Sequence, residues 1–161
     1  MEYFNPVAMF VAAVSAMVVG FIWYNPKTFG NAWMQASGMT DEKIKSGNMA
    51  KIFGLSFLFS FLLSIALPGI VIHQMGVMSL VGGDSSVALP SYEALLVDYG
   101  DAFRTFKHGA FHGVLTGVFI ALPIIGINAL FERKSAKYIF INAGYWIVTL
   151  AVMGAIICGW K

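Results

Sequence analysis

Long apolar runs constrain this chain more than any other feature, and the clearest of them lies in residues 104–132. This segment begins with polar residues, stays apolar for the thickness of a membrane, and ends at the acidic Glu132. A helix rises 1.5 Å per residue, so about 20 apolar residues cross roughly 30 Å of hydrocarbon. Lipid offers backbone N–H and C=O groups no hydrogen-bond partners, so a crossing segment must be a helix or part of a closed barrel. The runs are continuous rather than alternating, which favours helices.

The composition supports the same conclusion for the whole chain. Of its 161 residues, 58% are hydrophobic and only 11% are charged, whereas soluble domains average about 25% charged residues. The sequence therefore predicts an all-α membrane protein with a single domain over residues 1–161, whose partner is the lipid bilayer. Its four transmembrane helices are predicted over residues 7–24, 52–75, 105–131 and 138–158.

The first connection is predicted to contain a short amphipathic helix at the membrane surface. Asn25 and Pro26 are typical of a helix start, and Phe29 and Trp33 then fall on one face. Gly38 is suited to ending this helix, because glycine readily adopts the left-handed conformation found there. A further helix, starting at residues 40–42, is predicted to continue into the second span.

The second connection is predicted to form an outer loop over residues 76–102 with another surface helix. The apolar residues between Tyr92 and Phe103 follow the i, i+3, i+4, i+7 spacing of an amphipathic helix. The loop contains acidic residues but neither Lys nor Arg.

The distribution of Lys and Arg predicts the orientation of the spans, because cytoplasmic loops carry an excess of both. The first and third connections carry Lys27, Lys43, Lys45, Lys51, Arg133, Lys134 and Lys137. The second connection has no basic residue before Arg104. We therefore expect both termini outside, although Arg104 and Lys107 weigh mildly against this orientation.

Small residues recur at every fourth position of the spans and predict close helix packing. The main sets are Ala12, Ala16 and Gly20 in span one and Gly109, Gly113 and Gly117 in span three. Four spans with such faces offer more packing surface than one bundle requires, which indicates a homo-oligomer. Pro68 and Pro123 each remove a helical hydrogen bond, so spans two and three are predicted to bend there.

A polar cluster is predicted at the outer ends of spans two and three. His108 and His112 are one helical turn apart, and His73 lies near the outer end of span two. Asp101 falls on the same helical face as the first two histidines, and Asp98 lies in the adjoining loop. Three interpretations remain open: a divalent metal held by the histidines with a carboxylate, a pH-responsive group, or histidines that bind loop backbone. An HxxxH spacing without the glutamate of HExxH is a weak metal motif.

A second polar cluster is predicted at the inner pole. Asn128 lies near the end of span three and Asn142 near the start of span four, on either side of a short turn. Four further residues are expected at the same depth: Tyr24, Asn25, Glu132 and Tyr145. Amides in hydrocarbon need partners, so the cluster either fixes helix pairing or lines a small polar pocket.

Several classes of function lack support in the sequence. No serine lies in a G-x-S-x-G context, no glycine loop of the phosphate-binding type is present, and no basic patch suggests nucleic acid. The chain has one cysteine, Cys158, so it has neither an intrachain disulfide nor a cysteine metal site. The spans hold no acidic residue at mid-depth, which weakens a proton-coupled carrier. We expect a non-enzymatic bundle acting as a structural or interaction module, without cofactor unless a divalent metal binds. The alternatives are a small-solute or ion pathway of unknown ligand, and the metal- or pH-responsive outer site.

Two blocks of the sequence resemble a known family. The pattern GxxWYxPxxFGxxW occurs in residues 20–33, and the patterns INxLFE and INAGY occur in residues 127–132 and 141–145. These resemble the bacterial membrane family catalogued as domain of unknown function 1761. The resemblance implies a four-helix protein of the bacterial cytoplasmic membrane and no assigned activity. The loop of residues 76–102 is longer than the form typical of the family.

Overall fold

A computed structural model describes residues 3–161, and this range contains helices but no strands. Four helical segments are long and apolar enough to cross a membrane: Pro6–Trp23, Met49–Val71, Phe106–Phe131 and Ala136–Gly159. The prediction of an all-α chain with four spans is therefore confirmed by length and composition.

Shorter helices connect and subdivide the spans. The helices are α1 (Pro6–Trp23), α2 (Gly30–Ser37), α3 (Asp41–Ser46), α4 (Met49–Ala66), α5 (Pro68–Val71), α6 (His73–Leu80), α7 (Pro90–Tyr99), α8 (Phe106–Thr116), α9 (Leu122–Phe131) and α10 (Ala136–Gly159). A 3₁₀ turn, Ser85–Val87, precedes α7, and a π-helical turn, Gly117–Ala121, joins α8 to α9.

Side-chain caps fix where several helices begin. Asn5 Oδ1 accepts a hydrogen bond from the Ala8 backbone N–H at 3.0 Å, with Pro6 in the first turn of α1. Thr105 Oγ1 accepts in the same way from the His108 N–H at 3.1 Å. Each cap satisfies a backbone donor that the helix itself cannot pair.

The first connection differs from the prediction at its start. Asn25 Oδ1 accepts from the Lys27 N–H at 2.9 Å, which forms a turn rather than a helix cap. The helix begins later, at Gly30, where a Cβ would lie 2.8 Å from the Asn25 carbonyl oxygen. Gly38 ends α2 at φ 74°, as predicted. A further helix, α3, starts at Asp41, but it ends at Ser46 because Gly47 is extended. Asn48 then caps α4, so α3 does not continue into span two as predicted.

Span two ends earlier than the apolar pattern indicated. The helix α4 ends at Ala66, and α5 runs only from Pro68 to Val71. Ile72 is extended, with φ −114° and ψ 107°, and α6 begins at His73. Hydropathy did not detect this break because the residues on both sides of it are apolar. His73 therefore begins a separate helix instead of ending the span.

The last helix, α10, lies at the centre of the bundle. It packs most extensively against α8 and next against α1, and it also contacts α9. The buried core contains Leu67, Val71, Ile72, Leu150, Met153 and Ile157. By contrast, α4 packs mainly against α1 and lies at the edge of the bundle, whereas α5 at the outer end of span two packs against α8 and α10.

The backbones of α8 and α10 approach closely at three glycines. A Cβ on Gly113 would overlap the carbonyl group of Leu150, and one on Gly109 would overlap that of Gly154. A Cβ on Gly117 would lie 2.6 Å from the Ile147 Cα. No larger residue fits at these positions without moving a helix backbone. This contact holds α8, with its histidines, rigidly against the central helix.

Candidate metal centre

Three histidine side chains converge where α6 meets α8. His73 Nε2 lies 3.1 Å from His112 Nε2 and 3.2 Å from His108 Nε2. One ring nitrogen from each residue can be chosen so that the three lie within 4.8 Å of one another. His73 is exposed, whereas His108 and His112 are partly buried. The structure thus brings together the three histidines that the sequence placed at one pole.

Two different local structures position these rings. His108 and His112 are four residues apart on α8, so they project from one face, and Thr105 caps the helix just before them. His73 approaches from α6, whose direction is set by the extended Ile72. The contact between the two helices is therefore made next to the interruption of the helix at Ile72, where span two ends.

Gln74 holds the neighbouring loop in place. Its side chain is 3% exposed, and its Nε2 donates to the carbonyl oxygens of Tyr99 at 2.6 Å and Ala102 at 3.0 Å. These bonds tie α6 to the end of α7 and to the residues before α8. The Gln74 Oε1 has no hydrogen-bond partner among the described residues.

Hydrogen bonding alone does not satisfy this arrangement of nitrogens. A neutral imidazole nitrogen carries either one hydrogen or one lone pair. His73 Nε2 therefore cannot make a linear hydrogen bond to both of its histidine neighbours. Three nitrogens bound to one tetrahedral zinc, at about 2.0–2.1 Å, lie about 3.3 Å from each other. The two observed separations of 3.1 and 3.2 Å are close to that spacing.

Phenylalanine rings border the histidines. The Phe103 ring centroid lies 5.6 Å from that of His73 and 5.0 Å from that of His108. Phe103 has φ 62°, a left-handed conformation that is uncommon for a bulky residue. Such a conformation costs about 1–2 kcal/mol, so the surrounding contacts, including those made by Gln74, hold the loop against it.

The acidic residues expected beside the histidines have other positions. The group of nearby metal-ligand side chains at this pole contains only the three histidines within residues 3–161. Asp101 pairs with Lys161 at 3.0 Å. Asp98 lies on a separate groove, which Arg104 also lines. The helix α8 begins only at Phe106, so Asp101 precedes it and does not share a helical face with the imidazoles.

The inner polar cluster is partly assembled. Tyr24 donates from its hydroxyl to Asn142 Oδ1 at 2.9 Å, and Asn142 Nδ2 donates to the Tyr138 carbonyl oxygen at 2.8 Å. The Tyr145 hydroxyl donates to the Ala16 carbonyl oxygen at 3.2 Å. Burial, with smaller contributions from Tyr145 and Tyr138, raises the pKa of Tyr24 well above its usual 10.0, so this hydroxyl remains a neutral donor. These bonds join α1 to α10.

The other residues expected in this cluster lie outside it. Asn128 and Glu132 are exposed, and no hydrogen bond is made by the Asn128 side chain within residues 3–161. Asn25 forms the turn after α1. The short turn before α10 fixed the depth of Asn128 but not the direction in which its side chain points.

The family of the chain follows from its sequence as a whole. A family described as protein of unknown function, DUF1761, matches residues 7–158. The chain belongs to this family. No curated protein and no solved structure matches the chain. The DUF1761 match covers the four spans and both polar clusters, but the family has no assigned activity, so function has to be argued from the geometry.

Two contributors to these clusters were not identified from the sequence. Gln74 followed a histidine in an apolar stretch, and a buried amide there was a signal for a loop anchor. Trp23, the last residue of α1, is the second, and its Nε1 donates to the Ile141 carbonyl oxygen at 3.0 Å. An indole N–H close to a polar cluster usually finds a partner when buried, and this was the available clue.

Proposed function

We propose that this membrane protein binds a divalent transition metal, with zinc as the leading candidate, through His73, His108 and His112. The observation that carries the proposal is the convergence of three ring nitrogens from two helices at 3.1 and 3.2 Å. Imidazole ligands suit zinc, copper, nickel and iron, whereas magnesium and calcium prefer oxygen ligands. The absence of a carboxylate from this group of described residues favours the first set.

The site would have room for a fourth ligand. Three protein ligands leave one tetrahedral position of zinc open to water or another small group. The exposure of His73 keeps that side of the cluster accessible. The proposed site therefore resembles exchangeable or reactive zinc centres in its ligand count, and differs from closed structural sites with four protein ligands.

A bound metal would also join parts of the bundle that otherwise make little contact. The helix α6 makes no extensive contact with α8, although α5 before it packs against both α8 and α10. A metal shared by His73 and the two α8 histidines would fasten α6 to span three. This effect is compatible with a structural or interaction module, with the metal controlling the position of α6 and the loop after it.

We place the histidines at the outer face of the bacterial cytoplasmic membrane, with both termini outside. The Lys/Arg distribution supports this orientation. Lys134 Nζ donates to the Ser37 carbonyl oxygen at 3.1 Å, which agrees with the first and third connections lying at one pole. Cysteine accessibility labelling at residue 85 of the outer loop and at residue 135 of the third connection tests the orientation, because only the first should react from outside.

Zinc titration of the chelator-treated, detergent-purified protein tests the metal proposal. We expect one zinc per chain by calorimetry and elemental analysis, and loss of that binding in His108→Ala and His112→Ala. Lys107→Ala is the matched control, because it changes an exposed cation on the same turn without removing a ligand. Undiminished zinc binding in a variant lacking all three histidines would show that the proposed ligands are wrong.

A further inference from the structure

A buried arginine, Arg104, lies in the segment between α7 and α8. Arg104 is 8% exposed, its Nε donates to the Cys158 carbonyl oxygen at 3.0 Å, and its Cζ lies 5.3 Å from the centre of the Tyr3 ring. No carboxylate pairs with it among residues 3–161, since the ion pair found there joins Asp101 to Lys161. The terminal guanidinium nitrogens make no hydrogen bond within that part of the chain.

Arg104 uses only one of its five N–H donors in these contacts. A buried charge is costly unless it is paired and hydrogen-bonded. The Tyr3 ring and one carbonyl compensate part of that cost, and the terminal guanidinium nitrogens, which are not fully buried, are open to a further partner. The planar guanidinium presents several N–H donors in a fixed geometry that matches the oxygens of a phosphate or carboxylate.

Arg104 lines a groove that is large enough for such a group. The groove has a volume of about 480 Å³, and Tyr3, Asp98, Asp101 and Lys161 also line it. It therefore presents both signs of charge. Because Lys161 lies 3.0 Å from Asp101, the exposed Asp98 is the acidic side chain of the groove without an ion-pair partner among the described residues.

The groove lies where two spans end. Arg104 precedes Phe106, the first residue of span three, and Lys161 follows Gly159, the last residue of span four. Phospholipid phosphates lie at this level of a membrane, just outside the hydrocarbon. A phosphodiester with a primary amine would complement both the guanidinium and the free carboxylate.

We infer that this groove binds the head group of a zwitterionic phospholipid, with the phosphate on Arg104 and the ammonium on Asp98. This site is separate from the three histidines. Arg104 lines the groove, which none of the histidines lines, whereas the neighbouring Phe103 lies beside His73. The inference does not depend on the metal proposal. Inorganic phosphate can also bind the Arg104 guanidinium, but it has neither the amine nor the acyl chains of the lipid.

Binding measurements on the delipidated, detergent-solubilised full chain test this inference. Short-chain phosphatidylethanolamine, short-chain phosphatidylglycerol and inorganic phosphate are titrated separately. We expect the wild-type protein to bind the ethanolamine lipid most tightly. Arg104→Lys should weaken both lipids by about tenfold or more, because a bidentate charged hydrogen bond is lost.

A second variant separates the two halves of the head group. Asp98→Asn should remove the preference for ethanolamine over glycerol without weakening glycerol-lipid binding, because it removes a like charge from the groove, and it alters an exposed side chain. Lys107→Gln, an exposed cation near the same pole, should bind both lipids as the wild type does. Equal lipid binding by Arg104→Lys and wild type, or an unaltered preference in Asp98→Asn, would overturn the inference. Inorganic phosphate that binds as tightly as the lipids would overturn the assignment to a lipid.

Discussion

The Nε2 atoms of His73 and His112 lie 3.1 Å apart, although the two residues are separated by 39 positions in the chain. They belong to different helices, α6 and α8, and His108 lies on the second of these one turn away. The contact therefore adds a link between α6 and span three through ring nitrogens to the packing of α5 against α8. Several measurable properties should depend on that link.

The first prediction concerns the pH dependence of zinc affinity. Zinc binds neutral imidazole, and an ordinary histidine titrates at about 6.5. Bound zinc therefore lowers the pKa of its ligands, so its stabilising effect is present at pH 8 and declines as the pH falls through the range in which the free imidazoles take up protons. Three competing protons can raise the Kd by up to about a thousandfold per pH unit below that range. Calorimetry from pH 8 to pH 5 measures this, and a pH-independent Kd would exclude histidine ligands.

The second prediction concerns the mobility of α6. Span two makes its main contact with α1, and α7 makes no extensive contact with another described helix. A metal on His73 should therefore slow amide hydrogen exchange in residues 73–80 and leave the core of α10 unchanged. Hydrogen-exchange mass spectrometry with and without zinc measures this. The zinc-dependent protection should disappear in His73→Ala, and its persistence there would place the metal elsewhere.

The third prediction concerns the close approach of α8 and α10. Gly113→Ala places a methyl group against the Leu150 carbonyl, so one helix backbone has to move. Overpacking of this kind typically costs about 1–3 kcal/mol. Gly54→Ala is the matched control, because a Cβ there has no heavy atom within 4 Å, and alanine favours a helix by up to about 1 kcal/mol. Reversible unfolding in mixed micelles compares them, and equal stabilities would contradict the close contact.

The fourth prediction concerns the hydrogen bond between Tyr24 and Asn142. A double-mutant cycle of Tyr24→Phe and Asn142→Ala should give a coupling free energy of about 0.6 kcal/mol, and at most about 1.7, as for other interhelical bonds in membranes. Asn128→Ala serves as the control. Its side chain is exposed and makes no hydrogen bond within residues 3–161, so it should show no coupling to Tyr24. A coupling for Asn128 as large as that for Asn142 would show that the two amides share one cluster in the membrane.

The sequence was sufficient for the number of spans and for the pair of histidines on α8. Span length and composition follow from the thickness of the membrane, and the four-residue spacing of His108 and His112 follows from helix geometry. These features depend on residues close together in the chain. For that reason they could be predicted without knowing the tertiary structure.

The features that could not be predicted depend on the direction that the chain takes where a helix is interrupted or ends. The extended Ile72 turns His73 toward α8, and its apolar neighbours give no sign of this turn. The loop before α8 directs Asp101 toward Lys161. At the inner pole, the short turn placed Asn128 at the correct depth, while the rotation of α9 about its own axis left its amide exposed.

The π-helical turn at Gly117–Ala121 has a consequence for that rotation. A π turn accommodates one residue more than an α-helical turn, and each α-helical residue corresponds to about 100° around the axis. The turn therefore sets the angular phase between the histidine half of span three and the half that precedes the inner pole. A one-residue deletion here would leave an ordinary α-helical turn and keep the two halves in phase, because the π turn holds the additional residue. The same deletion in the α-helical residues 113–116 would turn one half by about 100°. Span three could then keep its histidines facing α6 or its α9 contacts with α10, but not both.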